Sequence, residues 1–117
     1  MAATIELILD CADLDTQVAF WSTALGYRHL GSEGGYALLA PPEGESGPNL
    51  VLQRVDEPKT VKNRVHFDVK VPDIEAEEAR LIGAGASRIR DDVVEEMGER
   101  WIVMADPEGN EFCICQC

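Results

Sequence analysis

Asp106-Pro107-Glu108-Gly109-Asn110-Glu111-Phe112-Cys113 is the stretch that decides the fold. Proline sets the second position of a tight turn, and glycine supplies a left-handed backbone that a residue with a Cβ resists. From Asn110 to Cys117 the residues alternate. Phe112 and Ile114 fall on one face, and Glu111, Cys113 and Cys115 on the other. The pattern predicts a strand with one face on a core and the other on something less oily.

The turn has an earlier copy. Tyr36 to Gly44 (YALLAPPEG) matches Trp101 to Gly109 (WIVMADPEG) at an offset of 65. Closer to the start of each half the offset is 60, with Asp13-Leu14 on Asp73-Ile74 and Leu9 on Val69. Laying Leu50 to Gln53 on Asn110 to Cys113 restores 60 after the turns. One supersecondary unit is therefore used twice, and a repeat of this kind governs the architecture.

Outward from the repeat, each half reads strand, helix, strand, strand, strand. Thr4 to Cys11 alternates as a first strand; Asp13 caps a helix whose apolar stripe is Leu14, Val18, Trp21 and Leu25, ended by Gly26. Tyr27 to Leu30, Tyr36 to Ala40 and Asn49 to Val55 are the remaining strands of the first unit, residues 1–56. Asp56 to Lys62 links the halves. The second unit, 63–117, opens with alternation from Val65 to Val71. Asp73 then caps a helix to about Ala84, anchored by Leu81 and Ile82. Strands follow over Ser87 to Val93, Trp101 to Ala105 and Asn110 to Gln116. The expected fold is α+β: one domain over 1–117, with two βαβββ units whose eight strands curve around a trough. The helices cover one sheet face, and the polar-studded faces line the trough, the usual kind of place for a small ligand.

Composition narrows the partners. A net charge of −12 disfavours nucleic acid and anionic membrane surfaces. No apolar run approaches the roughly 20 residues that span a bilayer, and no signal-like N-terminus is present, so a cytoplasmic protein is expected. The four cysteines, Cys11, Cys113, Cys115 and Cys117, contain no CxxC pair, and a disulfide framework does not suit a cytosolic domain.

The chain resembles the vicinal oxygen chelate superfamily, in particular its glyoxalase-like and bleomycin-resistance-like members. Cys11 to Asp13, Ala19 to Tyr27, Asn63 to Asp68 (NRVHFD) and Asp106 to Cys113 carry the likeness. In metal-dependent members, four side chains on the first and last strand of each unit point into the trough. Carried onto this chain, the resemblance implies Glu6, Gln53, His66 and Cys113. The 60-residue offset pairs Glu6 with His66 and Gln53 with Cys113.

His66 is the best single ligand of the set, and Glu6 is an acceptable carboxylate. Gln53 offers a neutral oxygen. Cys113 departs from the superfamily's usual His, Glu or Gln, and a thiolate draws toward tetrahedral zinc rather than an open oxygen-rich site. His66 also reads as a neutral histidine hydrogen-bonded to Glu6 or Asp68, or as a general base without metal. Tyr36 and Trp101 occupy equivalent positions and suit stacking on a planar ligand. Arg64 and Asp68 flank His66 and would set ligand polarity. Two readings stand. One is a small-organic-molecule-binding protein without a full metal site. The other is a divalent-metal-dependent lyase or isomerase with Glu6 and His66 at its centre. The resemblance also implies a homodimer.

Overall fold

The computed structural model describes residues 1–117. It divides into two compact units, Met1–Pro58 and Lys59–Cys117. The fold is α+β, as the repeat implies.

In the first unit the order is β1 (Leu7–Cys11), α1 (Leu14–Leu25), β2 (Arg28–Glu33), β3 (Tyr36–Ala40) and β4 (Leu50–Arg54). The sheet runs β1-β4-β3-β2, with β1 and β4 parallel and the other pairs antiparallel. Asp13 caps α1 by accepting the Thr16 N–H at 3.1 Å. Gly26 closes it with a φ of 68°, which lets the Tyr27 N–H reach back to the Ser22 carbonyl. The buried helix face is Gln17, Phe20, Trp21 and Ala24. This corrects the expected stripe, of which only Trp21 is fully buried. The two sets are neighbouring faces sharing Trp21, and a helix apolar over a wide arc does not specify its rotation to better than about one residue. Against that face lie Ala37, Leu39, Leu50 and Leu52, all essentially inaccessible.

The second unit contains β5 (Asp68–Val71), α2 (Ile74–Gly83), β6 (Ser87–Arg88), β7 (Val94–Glu96), β8 (Glu99–Ala105) and β9 (Glu111–Gln116). Its sheet repeats the first, β5-β9-β8-β6, with β7 added on β8. The strands therefore number nine, not eight: of the run expected over 87–93 only Ser87–Arg88 is strand, and a further strand, β7, forms beyond it at Val94–Glu96. β7 turns into β8 through Met97 and Gly98, both with positive φ (53° and 77°). Two left-handed residues make the turn type that suits a twisted hairpin. Methionine is not a residue that announces such a turn, so the sequence hides it. In α2, Ile74 and Leu81 are the buried anchors. Ile82, expected inside, is half-exposed. No helix is long and apolar enough to cross a membrane.

The duplication is real but its register differs from the expectation. Leu52 lies opposite Leu9, and Ile114 lies opposite Val69. With Leu9 and Val69 60 apart, as are the helix caps Asp13 and Asp73, the last strands are 62 apart. Gln53 is thus the counterpart of Cys115, and Cys113 the counterpart of Val51. The antiparallel ladders agree, since Tyr36 faces Gln53 and Trp101 faces Cys115. Insertions between turn and strand need not be equal in the two copies, and only hydrogen-bond pairing reveals the difference.

Candidate functional site

The Asp106–Gly109 turn holds the second unit's site in register. The Gly109 N–H bonds to the Asp106 carbonyl at 2.9 Å, with Gly109 at a φ of 90°. The Asp106 carboxylate is buried. It accepts the N–H groups of Glu108 and Asn110 and the Asn110 side-chain amide, at 2.9, 3.0 and 2.9 Å. Asn110 in turn accepts from Asn63 at 3.1 Å. These bonds tie the β8–β9 hairpin to the segment that leads into β5.

Glu111 completes the attachment. It takes the Asn63 N–H at 2.9 Å and the Lys59 ammonium at 2.8 Å. Burial alone would raise its carboxyl. The Asn63 N–H and Lys59 outweigh burial and hold it at about 2. A carboxyl lowered from its unfolded value contributes stability above that value and loses it as pH falls toward the folded one. Metal-free protein should therefore lose ~2 kcal/mol of stability through this group as pH falls from about 4.5 to about 2. Glu111→Gln should flatten that part of the curve in urea titrations at a series of pH values. An unchanged acid limb would show that the ion pair contributes nothing.

Both faces of β9 are buried: Phe112 and Ile114 on the helix side, Cys113 and Cys115 on the other. β9 is central, between β5 and β8, so even its less oily face is sheltered by neighbours. Asp68 sits opposite Cys113, and Val103 lies on the far side of Cys113. His66 precedes Asp68 by two residues, and its Nε2 is 3.4 Å from Asp68 Oδ1. One ligand atom each from His66, Asp68 and Cys113 lies within 4.8 Å of the others. These three border a cavity of about 330 Å³ whose apolar wall includes Trp101, Val103 and Phe112.

The thiols here are neutral at ordinary pH. Burial, reinforced by the Asp68 carboxylate, pushes Cys113 up, and burial together with Asp68, Cys113 and Glu99 pushes Cys115 to about 11. Neither has the activated thiolate of a nucleophilic cysteine.

His66, Asp68, Cys113 and Trp101 thus converge. Arg64 is exposed and does not line the cavity. Glu6 and Tyr36 border a separate open cleft of about 500 Å³ on the first unit, with Leu30, Leu38 and Val51. Glu6 is exposed, just ahead of β1, and accepts a long 3.5 Å bond from Asn49. Gln53 faces Tyr36 across the β3–β4 ladder. Asp68 is the donor that sequence reasoning did not place among metal ligands. Its signal was the His-x-Asp spacing, which puts both side chains on one side of an extended segment.

Tested against a metal, the second unit supplies one nitrogen, one oxygen and one sulfur. That set suits a soft tetrahedral ion and not an oxygen-rich octahedral one.

Two βαβββ units with this strand order define the glyoxalase/bleomycin resistance/dioxygenase class of folds. A family model described as "glyoxalase-like domain" matches residues 6–115, and the chain belongs to that family, within the vicinal oxygen chelate superfamily. No curated protein matches it by sequence. Among solved structures, the fosfomycin resistance protein FosX from Listeria monocytogenes superposes with a TM-score of 0.79 at 12% identity, covering 100% of this chain and 94% of that one. A mutant of that protein, complexed with Mn(II) and 1S,2S-dihydroxypropylphosphonic acid, gives 0.78 at 14% identity, covering 97% and 90%. A glyoxalase/bleomycin resistance protein/dioxygenase family enzyme from Burkholderia phytofirmans PsJN gives 0.78 at 16% identity, covering 95% of each chain. At these identities the likeness is one of fold.

Proposed function

We propose that this protein binds a small organic molecule in the cavity of its second unit. The observation that carries the reading is the convergence of His66, Asp68 and Trp101 on one cavity of about 330 Å³. That size lies in the range of small-ligand sites, and a mainly apolar wall with a few polar groups is their usual make-up. In this reading Trp101 stacks on a planar or aliphatic part of the ligand. His66 and Asp68 meet its polar end, donating from the imidazole and accepting at the carboxylate. Cys113 and Cys115, as neutral thiols, add soft, weakly polar surface.

A fragment panel screened by heteronuclear NMR tests this. Hits should move the Trp101 indole N–H and the His66 ring signals. Trp101→Ala should weaken them roughly 10-fold, on the order of a stacking contact. A panel that leaves those signals untouched, or binds the variant equally well, would count against the cavity as the ligand site.

The close approach of His66, Asp68 and Cys113 favours a second reading, a divalent-metal-dependent lyase or isomerase. A metal held by these residues would polarise a substrate oxygen. Asp68 would orient the His66 ring, and Trp101 and Val103 would keep water from the reacting end.

A further inference from the structure

We propose that the cleft on the first unit binds a linear aliphatic dication, a diamine or polyamine laid across the sheet with one ammonium end near Glu6 and the other near Glu33. The site is lined by residues of the first unit alone, and it stands whether or not the second unit's cavity takes a ligand.

The floor comes first. Directly paired residues of neighbouring strands share one face of a sheet. Ile8, Val51 and Leu38 form one such line across β1, β4 and β3. Their strand neighbours Leu52, Ala37 and Leu39 are buried against α1, so this line lies on the opposite face. Leu30 extends it onto β2, where a bulge between His29 and Gly31 breaks the alternation. Ile8, Leu30 and Tyr36 all stay about half-exposed. Apolar surface that remains wet in the folded unit gains by being covered, and a chain of methylenes covers it.

Charge comes second. Glu6 and Glu33 are the charged side chains that line the cleft, and no basic one joins them. Glu6 accepts only the long bond from Asn49, and Glu33 meets no cation of the protein. Residues 1–58 contain no lysine and two arginines, Arg28 and Arg54. Arg28 is tied to the Pro41 carbonyl at 2.9 Å and Arg54 to Asp56 at 2.7 Å, and neither lines the cleft. Asp10, in the cross-strand row of Gln53, Tyr36 and Glu33, adds a third carboxylate to this face. The negative field is unanswered from within, so it attracts a cation and repels an anion.

Spacing selects the kind of cation. Glu6 stands just ahead of β1 and Glu33 ends β2, and these are the two edge strands of the sheet. Three strand spacings, about 14 Å, separate those edges. One small cation cannot meet both carboxylates. Two ammonium groups joined by methylenes can, with the methylenes resting on Val51, Leu38 and Leu30. Tyr36, paired with Glu33, offers its ring to the ammonium at that end.

Titration of the full chain with octane-1,8-diamine at low salt, followed by heteronuclear NMR, tests the assignment. The expected result is saturable movement of the Leu38 and Val51 methyl signals and of the Tyr36 ring. Glu6→Gln, Glu33→Gln and Tyr36→Ala should each weaken binding at least ~3-fold. All three side chains are exposed, so these variants should fold as the parent does. The amino alcohol 8-aminooctan-1-ol keeps the length and loses one charge. Butane-1,4-diamine keeps both charges and is too short to reach both carboxylates. Each should bind at least ~3-fold more weakly than the eight-carbon diamine. Asp15→Asn removes one negative charge from α1, on the other side of the sheet, and should change nothing, which separates a built site from the general pull of an acidic chain. Equal weakening by Asp15→Asn, equal binding of the amino alcohol, or no movement at Leu38 and Val51 would overturn the proposal. Diamine binding here without any fragment hit at Trp101 would support it and count only against the second-unit reading.

Discussion

Trp21→Ala should destabilise the first unit by ~4 kcal/mol, the largest effect expected of any single substitution in the chain. Trp21 is 1% exposed and packs edge-to-face on Phe20, with ring centroids 5.1 Å apart and planes at 86°. Removing an indole leaves a cavity beneath α1 that the sheet side chains Leu39, Leu50 and Leu52 cannot fill, because each is already packed in place. Trp21→Phe keeps much of the volume and should cost only ~1–2 kcal/mol. Urea unfolding followed by circular dichroism measures both. A loss below ~1.5 kcal/mol for the alanine variant would mean that the helix re-seats on Phe20, and that the face assigned to it is wrong.

Asp106→Ala should cost ~3 kcal/mol. The residue is 3% exposed, and its carboxylate accepts three hydrogen bonds, two of them, both from Asn110, buried. The alanine variant strands the Asn110 N–H and side-chain amide in a buried setting, and it is this desolvation that makes the loss large. Asp106→Asn retains the shape and one acceptor and should cost roughly half as much. A second readout separates a local effect from a global one. The turn sets the Val103–Cys113 pairing, so the variant should also loosen Asp68 and Cys113, visible as faster amide exchange in β9. Stability and exchange close to those of the parent would show that the turn forms without its carboxylate.

Of the expected set, His66, Asp68, Trp101 and Cys113 border one candidate cavity, whereas Glu6, Gln53, Tyr36 and Arg64 do not. The NRVHFD and DPEGNEFC segments point to His66 and Cys113, and the structure brings the two together. Trp101 borders the same cavity. Asp68 was legible as a polar neighbour but not as a third donor. Its partnership with Cys113 is a cross-strand relation between residues 45 apart in the sequence. The register of the last strands was misjudged by two residues, since equal spacing was assumed where the copies differ after the turn. The β7 hairpin was missed because Met97 carries none of the chemistry that usually marks positive φ. The α1 face was off by one position, because Gln17 is polar and yet buried.

From its amino acids alone, this chain declares a duplicated βαβββ unit, its capped helices, its Pro-Gly turns and its acidic surface. Those features rest on interactions within a few residues: a side chain on a nearby N–H, a ring that fixes φ, an alternation that fixes a face. Which donors meet was decided only by the folded sheet. Pairing between β5 and β9 is the sum of hydrogen bonds and packing over the whole sheet, and no local preference distinguishes Asp68 beside Cys113 from a neighbouring register.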